Sequence, residues 1–174
     1  MSNWMLLNPE IFKDKKVIEL GSGPGLVGFT AGKLGASRVI LTDYKEPVMD
    51  LIAHNIKHQN HPHMYHAMLD WYFATDQSYL DSLPVLDSSM SPLGTFGLEL
   101  LSCDLLIGSD LLYFTEAIQP LFAMLCHFWS LNPRMTFYMC MMRRGKETHD
   151  ELERCIQVYK EKIETKMISK EYMS

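Results

Sequence analysis

Residues 19–28 read Glu-Leu-Gly-Ser-Gly-Pro-Gly-Leu-Val-Gly, "ELGSGPGLVG", and the fold of the chain turns on this stretch. The apolar pair Val17-Ile18 leads into it and a helix-like segment follows. Glycines at 21, 23, 25 and 28 allow a backbone bent tightly enough for a nucleotide to lie against it. Counted from Gly23, the run satisfies the dinucleotide spacing G-x-G-x-x-G, which is weak evidence on its own. Its context is stronger, because a strand ending at Leu20 and opening into a helix is the first half of a βαβ unit.

Further apolar runs at Lys16–Leu20, Arg38–Thr42, Met64–Leu69, Asp104–Gly108 and Met135–Met141 predict buried strands. Between them lie segments of helical period. Val48, Leu51, Ile52 and Ile56 predict one face of a helix that Pro47 begins. Ile118, Leu121, Phe122 and Leu125 predict a second, and Leu152, Cys155, Ile156 and Tyr159 a third. Strands alternating with helices, each strand apolar almost throughout, predict an α/β fold: a mostly parallel sheet with helices on both faces. Residues 74–100, with "LDSSMSPLG" inside, break the rhythm and predict an irregular surface connection within a single domain, 1–174.

Composition narrows the function. The 174 residues carry a net charge of −5, with 47% hydrophobic and 21% charged side chains. That leaves no basic footprint for nucleic acid or an anionic membrane. No apolar run is long enough to span a bilayer, and the N-terminus lacks a secretory pattern. Cysteines 103, 126, 140 and 155 are widely spaced in apolar surroundings, which predicts reduced thiols and a cytoplasmic or nuclear protein. Histidines 54, 58, 61, 63 and 66 crowd together, but without H-E-x-x-H or nearby cysteines they predict a solvated helix face and loop, with no metal.

Two carboxylates bear on which nucleotide the loop takes. Asp43 closes the second strand about twenty residues beyond the loop, where an acid accepts hydrogen bonds from ribose hydroxyls. It fits NAD and S-adenosylmethionine (SAM) equally. Glu19 separates them, since a pyrophosphate wants N–H donors and a positive helix end, not a carboxylate. Pro24 also removes one donor from the loop. SAM carries an ammonium and no phosphate, so the loop favours SAM over a nicotinamide dinucleotide.

With "LTDY" at 41–44, "LDW" at 69–71 and "GSDLLYF" at 108–114 added to the glycine loop, the chain resembles the class I, seven-strand SAM-dependent methyltransferases, specifically the family-16 protein-lysine group. The resemblance covers roughly residues 4–160. It implies a Rossmann-like fold, SAM as cofactor and a protein substrate methylated on a lysine amine. It further implies that Gly21, Ser22 and Gly23 line the methionine part of SAM, with Glu19 helping to hold its ammonium, and that Asp43 takes the ribose hydroxyls. Trp71 would pack by the adenine with Asp70 near its amino group. Ser109 would contact the cofactor through its backbone, and Trp4 would close over it. Asp110 and Tyr113 match the D-x-x-Y pair beside the acceptor amine. After Ile163 the sequence has room for one further strand where the family has two, so an incomplete C-terminal strand pair is expected. Methylation of arginine, histidine or a small molecule stands as the second reading, and a non-catalytic SAM-binding module as the third. The target protein and the oligomeric state are not legible.

Overall fold

A computed structural model describes residues 1–161 other than 60, 143 and 144. Seven strands form one sheet: β1 (Lys16–Leu20), β2 (Arg38–Asp43), β3 (Met64–Met68), β4 (Pro84–Leu86), β5 (Pro92–Thr95), β6 (Leu105–Ser109) and β7 (Thr136–Cys140). Their spatial order is β5-β4-β3-β2-β1-β6-β7. The five strands from β3 through β7 in that order pair in parallel, as near-continuous apolar strands require. The register sets Leu20 of β1 beside Gly108 of β6, and Asp43 of β2 beside Met68 of β3. The carboxyl ends of all five strands therefore meet along one edge. The strand order reverses between β1 and β6, and crevices that bind ligands form at such a switch point.

Helices α1 (Ser2–Leu7), α2 (Leu26–Lys33) and α3 (Glu46–Gln59) supply one face. There Val17, Val39, Leu41 and Ile107 of the sheet pack with Val27, Phe29, Ile52 and Ile56. Helices α4 (Gln77–Ser82), α5 (Phe96–Leu101), α6 (Ile118–Leu131) and α7 (Lys146–Tyr159) complete the fold. On this second face Ile18, Leu20, Ile40 and Leu106 meet Leu80, Leu100, Leu121, Phe128 and Leu152. Alternation along β1 assigns its residues: Val17 and Glu19 point to the α2 side, Ile18 and Leu20 to the α6 side.

Three expectations need correcting. Residues 74–100 are not irregular: they fold into α4, β4, β5 and α5. β4 pairs antiparallel with β3 and β5 with β4, extending the sheet by two short strands. Tyr79 and Ser78 begin the ordering, with Asp76 capping α4 through the Ser78 N–H. Turn-forming composition hid strands of only three and four residues, too short to show a period. In α3 the buried stripe is Met49, Ile52 and Ile56, while Leu51 is 44% exposed. His66 is not on a solvated face either, because it lies inside β3 and is buried. The strand expected after Ile163 lies outside the described residues. No helix among them is long and apolar enough to cross a membrane.

Candidate active site

The glycine loop joins β1 to α2 with three consecutive left-handed glycines, Gly21 (φ 56°), Gly23 (φ 51°) and Gly25 (φ 89°). Side chains disfavour that region, so the loop needs glycine at each. Ser22 anchors it to β2. Its N–H donates to the Thr42 carbonyl at 2.8 Å and its Oγ accepts from the Thr42 N–H at 2.9 Å, adding a rung beyond the β1–β2 ladder. Ser22 is accordingly buried and spent on the loop itself, not turned toward the crevice as the resemblance implied. Thr42, which the sequence gave no reason to single out, adds a bond from Oγ1 to the Glu19 carbonyl at 2.7 Å.

Glu19 also differs from expectation. Sharing a face with Val17, it points beneath the loop into α2, only 2% exposed, and Oε2 accepts from the Gly28 N–H at 2.9 Å. A carboxylate at a helix N-terminus satisfies a backbone donor that has no partner within the helix. Its action on a ligand is thus through the loop it holds. Burial pushes the carboxyl up to about 8, against the Gly28 N–H and Ser22, which favour its charged form. An acid raised in the folded state contributes stability that is present below its unfolded value and lost as pH climbs toward 8. We expect the melting temperature to fall between about pH 5 and pH 8, with a limiting slope of about 1.4 kcal/mol per pH unit from this group. Glu19→Gln keeps an acceptor for Gly28 and should flatten that fall in thermal melts; equal slopes for both chains would remove Glu19 as the cause.

Asp43 ends β2 and reaches back over the loop. Oδ2 accepts from the Gly23 N–H at 3.2 Å, and Oδ1 from the Tyr44 and Lys45 N–H groups at 2.8 and 3.2 Å. A carboxylate has about four acceptor positions and three are taken, so about one remains for a ligand hydroxyl. Asn55 of α3 braces the far side by donating to the Pro24 carbonyl at 2.9 Å.

The next strand end supplies Asp70 and Trp71. Tyr79 Oη accepts from the Asp70 N–H at 2.9 Å, and Asp70 Oδ1 takes the Tyr72 N–H at 3.0 Å, fixing the turn. Trp71 is half-buried, and a methyl group on Gly21 would sit 3.6 Å from its Cζ2 and 2.9 Å from Leu111 Cδ2. Gly21, Trp71 and Leu111 therefore share one wall. Sequence reasoning missed Leu111, which had no signal beyond being apolar.

From β6 come Ser109 and Asp110. Asp110 adopts the left-handed region (φ 58°) and its N–H donates to the Cys140 carbonyl at 2.7 Å. That conformation is strained for a residue with a side chain, although Asp and Asn tolerate it better than most. Tyr113 Oη donates to Asp110 Oδ2 at 3.0 Å, so the D-x-x-Y pair is assembled with Tyr113 58% exposed. Ser109 lines a cavity of about 350 Å³ with Trp4, Leu26 and Val27. Trp4 is itself buried, edge-on to Phe12 with ring centroids 6.3 Å apart and tilted against Tyr138 at 5.1 Å. It serves first as packing that fixes α1 over the sheet, and as a cavity wall second.

Together the strand ends offer a polar bottom at Asp43, an indole wall at Trp71 and an acid–phenol pair at Asp110 and Tyr113. Among the described residues no three His, Cys, Asp or Glu side chains gather as metal ligands, and the His54 and His58 rings contact each other on exposed α3. Cys103, Cys140 and Cys155 are in no disulfide among the described residues.

Comparison with known proteins agrees with this geometry. The model of the lysine methyltransferase family matches residues 4–85. Protein N-lysine methyltransferase METTL21A of Danio rerio is 31% identical over 135 residues, covering 78% of this chain and 53% of that protein. The Schizosaccharomyces pombe protein N-terminal and lysine N-methyltransferase efm7 is 40% identical over 58 residues, 33% of this chain and 23% of that one. The chain thus spans about half the length of the former and less of the latter. Among solved structures, a putative RNA methyltransferase from Pyrococcus horikoshii superposes with a TM-score of 0.55 at 17% identity, over 91% of this chain and 63% of that one. The ribosomal protein L11 methylase of Lactobacillus delbrueckii subsp. bulgaricus gives 0.51 at 18% identity, over 89% and 65%. The structures share the fold: the chain has the Rossmann-like class I methyltransferase fold, and in sequence it is similar to protein-lysine methyltransferases.

Proposed function

We propose that the chain transfers a methyl group from SAM to a protein side chain, most specifically the ε-amine of a lysine. The observation that supports this best is the joint placement of the Gly21 turn, Asp43, Trp71 and the Asp110–Tyr113 pair along one sheet edge at the switch point. The residues suit SAM. Gly21 lets the backbone lie close against Trp71 and Leu111, where a Cβ would crowd Leu111, and Asp43 keeps an acceptor position for a ribose hydroxyl. The missing N–H of Pro24 makes the loop a poorer pyrophosphate cradle.

The cofactor supplies an electrophilic methyl on a positive sulfonium; the protein supplies alignment and electrostatics. The acceptor lysine has an ordinary pKa near 10.4 and must lose its proton before it attacks. Asp110 attracts and orients the incoming ammonium, and its bond to Tyr113 Oη fixes the carboxylate's direction. Once the proton leaves to water, the lone pair faces the crevice. Tyr113 presents its exposed ring as the acceptor wall. The fission-yeast relative is a protein N-terminal and lysine N-methyltransferase, so an α-amine is the second acceptor to test. The net charge of −5 supports a protein over a nucleic-acid substrate, and the widely spaced cysteines in apolar surroundings support a cytoplasmic or nuclear setting.

Labelled SAM added with the purified chain to cell extract should label a protein at lysine, read by mass. Calorimetry should show SAM binding and no NAD binding. Asp43→Ala should weaken SAM about tenfold, about 1.4 kcal/mol, because a ribose hydroxyl and the Gly23 N–H lose their acceptor. Tight NAD binding without a SAM signal would overturn the assignment.

A further inference from the structure

Beside the Asp110–Tyr113 pair lies a second and larger concavity, about 610 Å³, between the end of β3 and helices α6 and α7. Its walls include Tyr72, Glu116, Gln119, Ala123, Glu151 and Tyr159. Volume of this order accommodates a long side chain with part of its backbone. Chain connectivity ties its walls to the proposed acceptor site: Tyr72 directly follows Trp71, and Glu116 lies three residues past Tyr113; Tyr72 Oη also donates to the Glu116 carbonyl at 3.5 Å.

The lining has a definite chemical character. Among the described residues it contains two carboxylates and no Lys, Arg or His. Glu151 is already compensated: Arg154 donates to both its oxygens at 2.6 and 2.7 Å and Gln119 to one at 3.2 Å. Those bonds hold its carboxyl down at about 2, so it is charged at any working pH. Glu116 is exposed, and no hydrogen bond or ion pair to its carboxylate is made among the described residues. Tyr72 is 64% exposed, and Tyr159 is held in place by stacking on Phe122 with centroids 5.7 Å apart. Two tyrosine rings beside an uncompensated carboxylate favour a cation on an apolar stem, by attraction to the ring faces and to the charge.

We propose that this cleft is a specificity site for the protein substrate, taking a basic side chain, arginine before lysine, from residues flanking the methylated amine. The proposal rests on the lysine-methyltransferase reading above. Arginine is preferred because its planar guanidinium stacks on tyrosine and forks to a carboxylate, whereas ammonium remains more strongly hydrated. The cleft thereby distinguishes substrates by sequence around the target, a task that Asp110 and Tyr113, facing the amine itself, do not perform.

The test uses the full chain loaded with S-adenosylhomocysteine and two fluorescent nonapeptides, each with a central lysine. One peptide has arginines on both sides of the lysine and the other has glutamines. Anisotropy titration should give a dissociation constant about tenfold lower for the arginine peptide, with the advantage shrinking at high salt. Glu116→Lys should abolish the preference while leaving the glutamine peptide and the melting temperature unchanged. Ala123→Phe, which fills the cleft from α6 without altering charge, should also abolish it. Equal affinities for the two peptides, including no measurable binding of either, overturn the proposal, as does a preference that survives both variants. Calorimetry with SAM on the same preparations before S-adenosylhomocysteine is added separates the outcomes: absent SAM binding defeats the methyltransferase reading, whereas SAM binding without peptide discrimination defeats only the cleft.

Discussion

Gly28→Ala should lower the stability of the chain by about 3 kcal/mol, although alanine is the better helix former by about 1 kcal/mol. The opposite sign is what makes the variant informative. Gly28 stands in the first turn of α2, where that helix presses on β2. A Cβ there would overlap Leu41 Cδ2 and come within 2.6 Å of Glu19 Oε2. Both neighbours are side-chain ends, but neither has space to retreat, since Leu41 is 0% and Glu19 2% exposed. Relief requires either a shifted α2 or a displaced Glu19, and the second leaves the Gly28 N–H and a buried carboxylate without each other. Overpacking of a dense core costs about 1–3 kcal/mol, and the broken bond adds a similar amount. The corresponding fall in melting temperature is roughly 10 °C for a chain of this size. Gly97→Ala is the control. A methyl there would also overlap a carboxylate oxygen, Asp81 Oδ1, but that side chain is exposed and free to swing into water. Thermal melts should therefore show a large drop for Gly28→Ala and almost none for Gly97→Ala. Equal behaviour would mean that α2 yields easily and that Gly28 has no packing role.

The same residue explains why the glycine stretch was informative as sequence. The spacing in G-x-G-x-x-G encodes a turn, then a helix close to a strand, and both demands are local. Likewise the buried parallel strands were legible because Val39-Ile40-Leu41 and Leu105-Leu106-Ile107 are apolar on both faces, and both faces are covered. The limits of legibility are equally physical. β4 and β5 are short, carry Pro84 and Pro92, and gain their order from pairing with β3, which no window of sequence contains. Leu51 obeyed the helical period and still faces outward, since the apolar stripe sits one residue away at Met49, Ile52 and Ile56. For the site, residue types were readable but directions were not. Glu19 and Ser22 stand where a ligand-facing role was expected, yet alternation along β1 and pairing with Thr42 turn both inward. Their contribution becomes preorganisation: Ser22 and Asp43 tie the loop to β2, Glu19 ties it to α2, and the glycines between keep their left-handed turns.

Asp110→Asn should reduce methyl transfer about a hundredfold, about 2.7 kcal/mol at the barrier, with SAM affinity nearly unchanged. Asparagine is the right replacement because Asp110 sits at φ 58°, a region that Asn occupies as readily as Asp. The backbone N–H can keep its bond to the Cys140 carbonyl, and an amide oxygen can still accept from Tyr113 Oη. What disappears is the negative charge that draws in an ammonium and orients the amine. Asp110→Ala is the less informative variant, since it adds backbone strain to the loss of charge. The cofactor is assigned to the loop, Asp43 and Trp71, so removing this charge has no direct path to SAM binding. Tyr113→Phe separates the two parts of the pair. If the ring alone forms the acceptor wall the loss is small, and if the hydroxyl's hold on Asp110 Oδ2 sets the carboxylate's direction it approaches that of Asp110→Asn. The decisive measurement is single-turnover methyl transfer to the identified substrate, with SAM titrated against each variant and melting curves to confirm the fold. Full turnover in Asp110→Asn would exclude the charge from the mechanism and leave positioning by the loop as the whole of catalysis. A loss of SAM affinity matching the loss of turnover would instead move Asp110 from the acceptor side of the crevice to the cofactor side.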